Sequence, residues 1–483
     1  MAMGRRRFPP TFSAGVLRAV AAAALGGALC VPTVQAADLV QAWKSAQQHD
    51  ADYQAAQAAY EAGLTQREQA NALWRPTVQA SGTAGRMTNE SQTQGAQFYA
   101  PGFPLTNSAV FNTSIVNGNM DRWSLSARQP LVSGERLAQS RQMDLKAEIA
   151  DLEWKNARQD LMLRTAQRYF DVALAQEALR VARRQERSVE KALGEVKARY
   201  KLGDVPITDT HEAEARVEAI RAQIMAAETD LQLKQAALAD ATGLPAASLD
   251  VLEPTRGDLP PPGGPLEQWM NEATAGNPGL RMRELQVDVA RRESDRYGVL
   301  SSSSVDLVGE VTRDHLSGNG DYGAASNTLR TSLVGVQLTI PLYSGGSRSA
   351  RREEAQHLTD KALSETQRSR QQVGLQTRAA WLGLTAGERR VQALAAALKA
   401  SDARLAATRL GHQVGDRSTL DLLSAESDAA NARLSWLQGR VAQLMNRLQL
   451  EALAGKLDES QLQTVNALLE VPSDGAAPSD PGH

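Results

Sequence analysis

The feature that most constrains this chain is that it is written twice. Asp38-Leu39 through Asp50 to Pro76 lines up with Pro265-Leu266 through Asn277 to Ser303 at one constant offset. Gln129-Pro130-Leu131-Val132-Ser133-Gly134 answers Ile340-Pro341-Leu342-Tyr343-Ser344-Gly345. Leu202-Gly203-Asp204 with Thr208-Asp209 answers Val414-Gly415-Asp416 with Leu420-Asp421. Each half reads in one order: helix, alternating strands, very long helix, tight Gly-Asp turn, helix. Few folds combine paired strands with helices of this length, so the repeat restricts function as well as architecture.

Proline spacing sets the helix length. There is none between Pro130 and Pro206, nor between Pro341 and Pro472. A proline would remove a backbone donor and clash with the preceding turn, so a helix can run unbroken through both stretches. Glu135 to Tyr200 is rich in Ala, Leu, Gln, Glu and Arg, and at 1.5 Å per residue it would reach roughly 100 Å. Arg348 to His412 repeats it. Helices this long must pair as coiled coils or project as a stalk. Leu145, Ile149 and Leu152, then Leu161, Ala166, Phe170 and Leu174, mark a broad, Ala-rich seam at helical spacing. The polar face opposite suits either a solvated exterior or the lining of a hydrophilic tunnel, and the sequence does not separate the two. Gly203 and Gly415 can take the left-handed conformation that closes a helix. Asp204, then Thr208 or Ser418, can cap the helix that follows. Two antiparallel helical hairpins result, 135–243 and 348–454.

Four segments alternate apolar and polar: 77–84, 122–130, 304–312 and 330–341. Each is close to the ~9–11 residues of a tilted membrane strand. A soluble antiparallel sheet alternates equally well, so the pattern alone leaves both open. Residues 86–121 and 313–329 are rich in Gly, Asn and Ser and read as polar loops joining each pair. Long polar loops at one end and helices at the other match an outer-membrane barrel with external loops. Four strands cannot close a barrel, since ~8 is the smallest that does. Strands that span a membrane here therefore require an oligomer to pool them.

The N-terminus supports an exported protein. Arg5-Arg6-Arg7 and Arg18 precede an apolar stretch from Ala19 to Val31, and Val34-Gln35-Ala36 is a small-residue cleavage site. Residues 1–36 are expected to be a signal peptide, too short in their apolar part to span a membrane. Cys30 is the only cysteine. Ala28-Leu29-Cys30 is a poor lipidation site, because such sites carry a small residue just before the cysteine. Cleavage after Ala36 leaves no thiol, which excludes disulfides and Cys-metal sites. A formal net charge of -2 and the lack of a basic stripe interleaved with aromatics give no case for nucleic acid.

These residues resemble the TolC family of outer-membrane channel-tunnel proteins across about 38–470. The most specific matches are Leu338-Thr339-Ile340-Pro341-Leu342-Tyr343-Ser344-Gly345-Gly346, Tyr200 through Asp209, and Val414 through Leu423. The resemblance implies an α+β membrane protein. Long α-helical hairpins would form a coiled-coil tunnel, and four β-strands per protomer would contribute to a trimeric 12-stranded transmembrane β-barrel. It implies a homotrimer in outer-membrane lipid, with a large periplasmic portion. Its partners would be a periplasmic adaptor (a membrane fusion protein) and an inner-membrane ABC, RND or MFS-type transporter.

The resemblance also assigns residues. Asp421 matches the family's constriction aspartate, and a ring of three carboxylates in a narrow pore attracts cations. Ser424 stands where some members carry a second aspartate. Arg417 matches a latch residue, with Thr208 and Asp209 as its expected partners on the outer hairpin. His412 stands where relatives can have a tyrosine. Plain helix-start chemistry is the competing reading for Asp209 and Asp421. Leu202, Gly203, Asp204, Val414, Gly415 and Asp416 are candidates for the adaptor-docking tips. Pro76, Pro130, Gly134, Pro341 and Gly345 are the expected barrel–helix junctions.

Enzyme chemistry is not legible. Gly318-Asn319-Gly320-Asp321-Tyr322-Gly323 fits G-x-G-x-x-G, but no helix pattern follows, so it reads as an external loop. The six histidines have no ligand spacing, and no cofactor or metal is expected. The domain expectation is a first repeat over 37–243, a Pro/Gly linker over 244–264, a second repeat over 265–455, and a C-terminal segment 456–483, disordered after about 470. The function expected is an exit duct for type I protein secretion, small-molecule efflux or both. The alternative is a periplasmic adaptor or soluble coiled-coil scaffold, which would share the hairpins but lack duplicated strand pairs.

Overall fold

A computed structural model describes residues 38–470, except 103, 105, 246–252, 258, 261–262, 299–300 and 322. The expected signal peptide with Cys30, part of the linker and the tail after 470 lie outside the described residues. The described elements run α1 (Leu39–His49), α2 (Ala51–Ala72), β1 (Thr77–Phe98), β2 (Thr106–Ser133), α3 (Gly134–Lys201) and α4 (Ile207–Thr242). They continue as α5 (Leu266–Gly276), α6 (Pro278–Arg296), β3 (Ser304–Gly320), β4 (Gly323–Thr339), α7 (Ser347–Gln413), α8 (Thr419–Leu453) and α9 (Glu459–Asn466).

The duplication is physical as well as textual. The α1–α2 corner turns on Asp50, whose Oδ1 accepts from the Tyr53 N–H at 2.9 Å. The α5–α6 corner turns on Asn277, whose Oδ1 accepts from the Leu280 N–H at 2.9 Å. Both residues are extended, end one helix and cap the next.

The strands form one antiparallel sheet in the order β1-β2-β3-β4. They are longer than the alternation suggests. β1 and β2 pair from Thr77↔Arg128 out to Phe98↔Thr106, with register shifts near Met87, Thr93 and Ala96. The stretches expected to be loops, 86–121 and 313–329, are therefore mostly strand. Backbone pairing needs no apolar side chains, and polar Ser/Thr/Gln hairpins extend the ladder once the apolar base fixes the register. Gly320 pairs with Gly323, so the G-x-G-x-x-G segment is a tight β3–β4 hairpin turn.

Each strand continues into or out of a helix: α2 into β1, β2 into α3, α6 into β3, β4 into α7. The helices keep the strand order, since α2 packs on α3, α3 on α6, and α6 on α7. The main core lies at the waist of this layer. Tyr169, Phe170, Leu161 and Met162 of α3 meet Leu444 and Leu448 of α8, Leu39 and Trp43 of α1, and Leu462 of α9. The Pro/Gly linker is not a free tether where it is described. Glu253 pairs with Glu470 as an isolated bridge, and Leu259 is buried in the core. The buried Arg440 side chain donates to the carbonyls of Pro254, Arg256 and Gly257. Glu177 of α3 and Glu253 are both fully buried and share Arg180 and Arg433. Two buried carboxylates are tolerable only because several guanidiniums surround them.

Candidate functional site: the sheet face and the hairpin tips

Cross-strand pairing sorts the sheet into two faces. Val78, Ala80 and Gly82 stand beside Ala127, Leu125 and Trp123. Leu125 and Ala127 continue to Val311 and Gly309, and Leu307 and Gly309 to Val336 and Val334. Directly opposite residues share a face, so these form one continuous apolar surface. It is exposed: Val334 at 81 %, Val78 and Trp123 at 67 %, Leu338 at 62 %. The other face is polar and internally bonded. Ser81 meets Ser124 at 2.7 Å, Arg128 donates to Gln337 at 3.3 Å, and Arg122 grips Asp314 at 2.5 Å and 3.1 Å. β1 and β4 are the sheet's two edges. An apolar outer face, a polar inner face and two open edges suit a segment of a barrel in lipid. No helix among the described residues is long and apolar enough to cross a membrane.

The expected junction residues divide. Pro76 follows the last turn of α2 and directly precedes β1. Gly134 opens α3, where a Cβ would come within 2.6 Å of the Ser301 backbone, so only glycine fits. Gly345 and Gly346 are both left-handed (φ 62° and 81°), and Pro341 lies between β4 and α7. Pro130 is not at a junction. It lies inside β2 at a register shift, beyond the last β1 pair, where the missing N–H costs no ladder bond on that side.

Both hairpin tips close in the same way. At the first, the Gly203 N–H bonds the Tyr200 carbonyl at 3.0 Å and the Asp204 N–H bonds the Arg199 carbonyl at 3.0 Å. At the second, Gly415 bonds His412 at 3.2 Å and Asp416 bonds Gly411 at 2.8 Å. This double return bond with a left-handed glycine (φ 83° and 82°) is the Schellman closure. It pushes Leu202 and Val414 outward, at 78 % and 73 % exposure.

The helices that follow start differently. At α8, the Asp421 N–H donates to Ser418 Oγ at 3.1 Å, and Asp421 Oδ2 accepts from the Ser418 N–H at 3.1 Å and its hydroxyl at 2.9 Å. This is a complete capping box. The Ser418 hydroxyl, then its N–H, and more weakly Arg417, hold the Asp421 carboxyl below the usual range. At α4 the cap position is Pro206, with no side-chain cap. Neither Asp204 nor Thr208 caps it: Thr208 Oγ1 donates to Asp209 Oδ1 at 3.3 Å instead.

Within one chain the structure does not bring Arg417 to Thr208 or Asp209. Arg417 folds back over Gly411, where a Cβ would meet its Cγ at 2.7 Å. The cross-hairpin contact falls to His412, whose Nε2 lies 3.2 Å from Thr419 Oγ1 and 3.8 Å from Glu195 Oε2 of α3. Sequence reasoning missed that carboxylate, because Glu195 reads as one more helix-surface charge. It also missed a groove of about 300 Å³ between the first hairpin and α8, lined by Gln185, Val189, Arg216, Ile220, Ser424 and Ser427.

The family model for outer membrane efflux proteins matches residues 42–244 and 269–456. The chain belongs to that family. It is 28% identical over 439 residues to the proteases secretion protein PrtF of Dickeya chrysanthemi, covering 90% of this chain and 92% of the relative. It is 25% identical over 366 residues to the outer membrane protein TolC of Escherichia coli, covering 74% of each. The fold matches the Campylobacter jejuni CmeC outer membrane channel with TM-score 0.68 at 14% identity, over 89% of this chain and 90% of that one. Members of the family are channel proteins of the Gram-negative outer membrane rather than enzymes, and this member carries the duplicated strand pairs that the scaffold alternative lacks.

Proposed function

We propose that three copies of this chain pool their sheets into a 12-stranded barrel, and that the assembly is the exit duct of a tripartite export system. The observation that carries the trimer is the open four-stranded sheet with its exposed apolar face. Three such sheets joined β4 to β1 satisfy every edge, which lipid otherwise makes costly. The long helices then descend as staves of a tunnel.

In this reading the tips meet a periplasmic adaptor, and the adaptor couples the duct to an inner-membrane transporter. Leu202, Gly203, Asp204, Val414, Gly415 and Asp416 form the gripped surface. Asp421 lines the periplasmic constriction. Arg417, unpartnered by Thr208 and Asp209 of its own chain, reaches those residues of the neighbouring copy, and the contact breaks on opening. Type I protein secretion is the favoured use, because the protease secretion protein PrtF aligns over nearly its whole length.

Fractionation tests the assembly. A carbonate-resistant, heat-modifiable trimer in the outer membrane is the expected result. A water-soluble monomer without detergent ends the proposal. For cargo, a deletion strain should lose a secreted protein from its medium; an unchanged secretome with increased drug sensitivity favours efflux instead.

A further inference from the structure

Directly below the sheet, α3, α6 and α7 line an open cavity of about 420 Å³, with Arg141 and Arg352 exposed at its mouth. Its lining includes three arginines, Arg141, Arg292 and Arg352, and a single acid, Asp295. Arg292 is 3.4 Å from Asp295. Arg141 and Arg352 have no carboxylate within ion-pair distance among the described residues. The cavity therefore carries an excess of positive charge that the fold does not neutralise.

Its depth follows from the chain. Arg141 lies near the start of α3, Arg352 near the start of α7, and Arg292 in the last turns of α6. At 1.5 Å per residue, all three fall within about 10 Å of the strand–helix boundary. Ser301, also in the lining, sits just before Val305 at the foot of the apolar face. The three guanidiniums thus form one layer at the edge of the apolar belt, where headgroups would lie. Leu137, exposed and part of the lining, adds an apolar wall. α3 and α6 continue the two central strands, so they are away from the protomer's edges. An exposed leucine there fits a glycerol or acyl chain better than a water-filled bore. The volume is in the range of ligand pockets, roughly 300–1,000 Å³.

We propose that this cavity binds the phosphate of an anionic phospholipid of the periplasmic leaflet, clasped by Arg141, Arg292 and Arg352. Guanidinium forks match phosphate oxygens, and basic pockets at headgroup depth hold anionic lipids. The proposal rests on the membrane reading above.

The test is native mass spectrometry of the detergent-purified assembly, with dioleoylphosphatidylglycerol and dioleoylphosphatidylcholine added in turn. The phosphatidylglycerol should be retained on the order of tenfold better, because the choline cation of phosphatidylcholine offsets its phosphate charge and is repelled by the three arginines. The R141Q/R352Q double variant should lose that preference while keeping its heat-modifiable band. If the double variant does not assemble, R141Q alone, at an exposed position, should reduce the preference. Equal retention of the two lipids by the wild type, or an unaltered preference in an assembled variant, overturns the site. Displacement of phosphatidylglycerol by millimolar inorganic phosphate would make it a free-anion site and overturn the lipid assignment. A chain that is soluble without detergent sinks the membrane reading itself, whereas an intact outer-membrane oligomer without lipid preference sinks only this site.

Discussion

The two hairpin tips carry the same closure and different openings. Gly203 and Gly415 end their helices with matching return bonds, yet only α8 begins with a capping box. Pro206 occupies the position where the second tip has Ser418. The first tip fixes its chain direction through proline's restricted φ and has no side-chain cap, the Asp209 N–H returning instead to the Pro206 carbonyl at 3.2 Å. The second uses side-chain chemistry and commits a carboxylate to it. The duplicated scaffold thus tolerates two solutions for starting a helix, and the second one fixes a carboxylate in the first turn of α8.

The shared half of the comparison is tested with the larger effect. Neither Gly203 nor Gly415 has an atom within 4 Å of a built Cβ, so substitution acts through the backbone alone. Gly203→Val and Gly415→Val should each cost about 1–2 kcal/mol, the penalty of a left-handed L-residue. Hydrogen exchange at 199–204 and 411–416 should accelerate to a similar extent. A marked inequality would show that the tips differ in more than their caps.

The differing half is tested next. Ser418→Ala should destabilise the first turn of α8 by about 1 kcal/mol. Pro206→Ala should leave the first turn of α4 locally unchanged, since no side-chain bond is lost, and its cost of about 0.4–1 kcal/mol falls on the unfolded chain. Amide exchange over 419–422 against 207–210 reads both. Equal responses would mean that the box bonds contribute nothing.

What the sequence made legible follows from how local each signal is. The glycine turns, the Ser418–Asp421 spacing, the unbroken helices and the alternating sheet base all depend on residues close in the chain. The misread parts depend on distant partners. The polar stretches 86–121 and 313–329 pair because their neighbours are already in register, not because their composition favours strand. Glu177 looks like a helix-surface charge until Arg433, far along the chain, is packed against it. The linker looks free until Glu470 returns to Glu253. The second junction repeats Pro-Leu-x-Ser-Gly of the first but adds Gly346. Ser133 therefore caps α3, whereas Gly346 takes the cap position of α7 and Ser344 falls outside it.

The smallest effect asked of the comparison is on ion selectivity, and it bears on the two aspartates. Asp421→Asn should lower cation preference in planar bilayers by about a factor of two, since an exposed carboxylate is screened over a Debye length of about 10 Å at 0.1 M salt. Asp209→Asn should act on opening, through its contact with Arg417, rather than on selectivity. Acidification separates charge from structure. The Asp421 carboxyl is held below its ordinary value of 3.8 by the Ser418 hydroxyl and N–H, so the ionised form is favoured in the fold. The stability it contributes is present above that ordinary value and is lost as pH falls through the lowered one. Its charge should follow the same course, so selectivity should hold from neutral pH down to about 4 and decline only below. A decline already complete at pH 5 would assign the selective charge to a different group. Selectivity unchanged in Asp421→Asn at neutral pH would remove Asp421 from the pore and leave it with the cap alone.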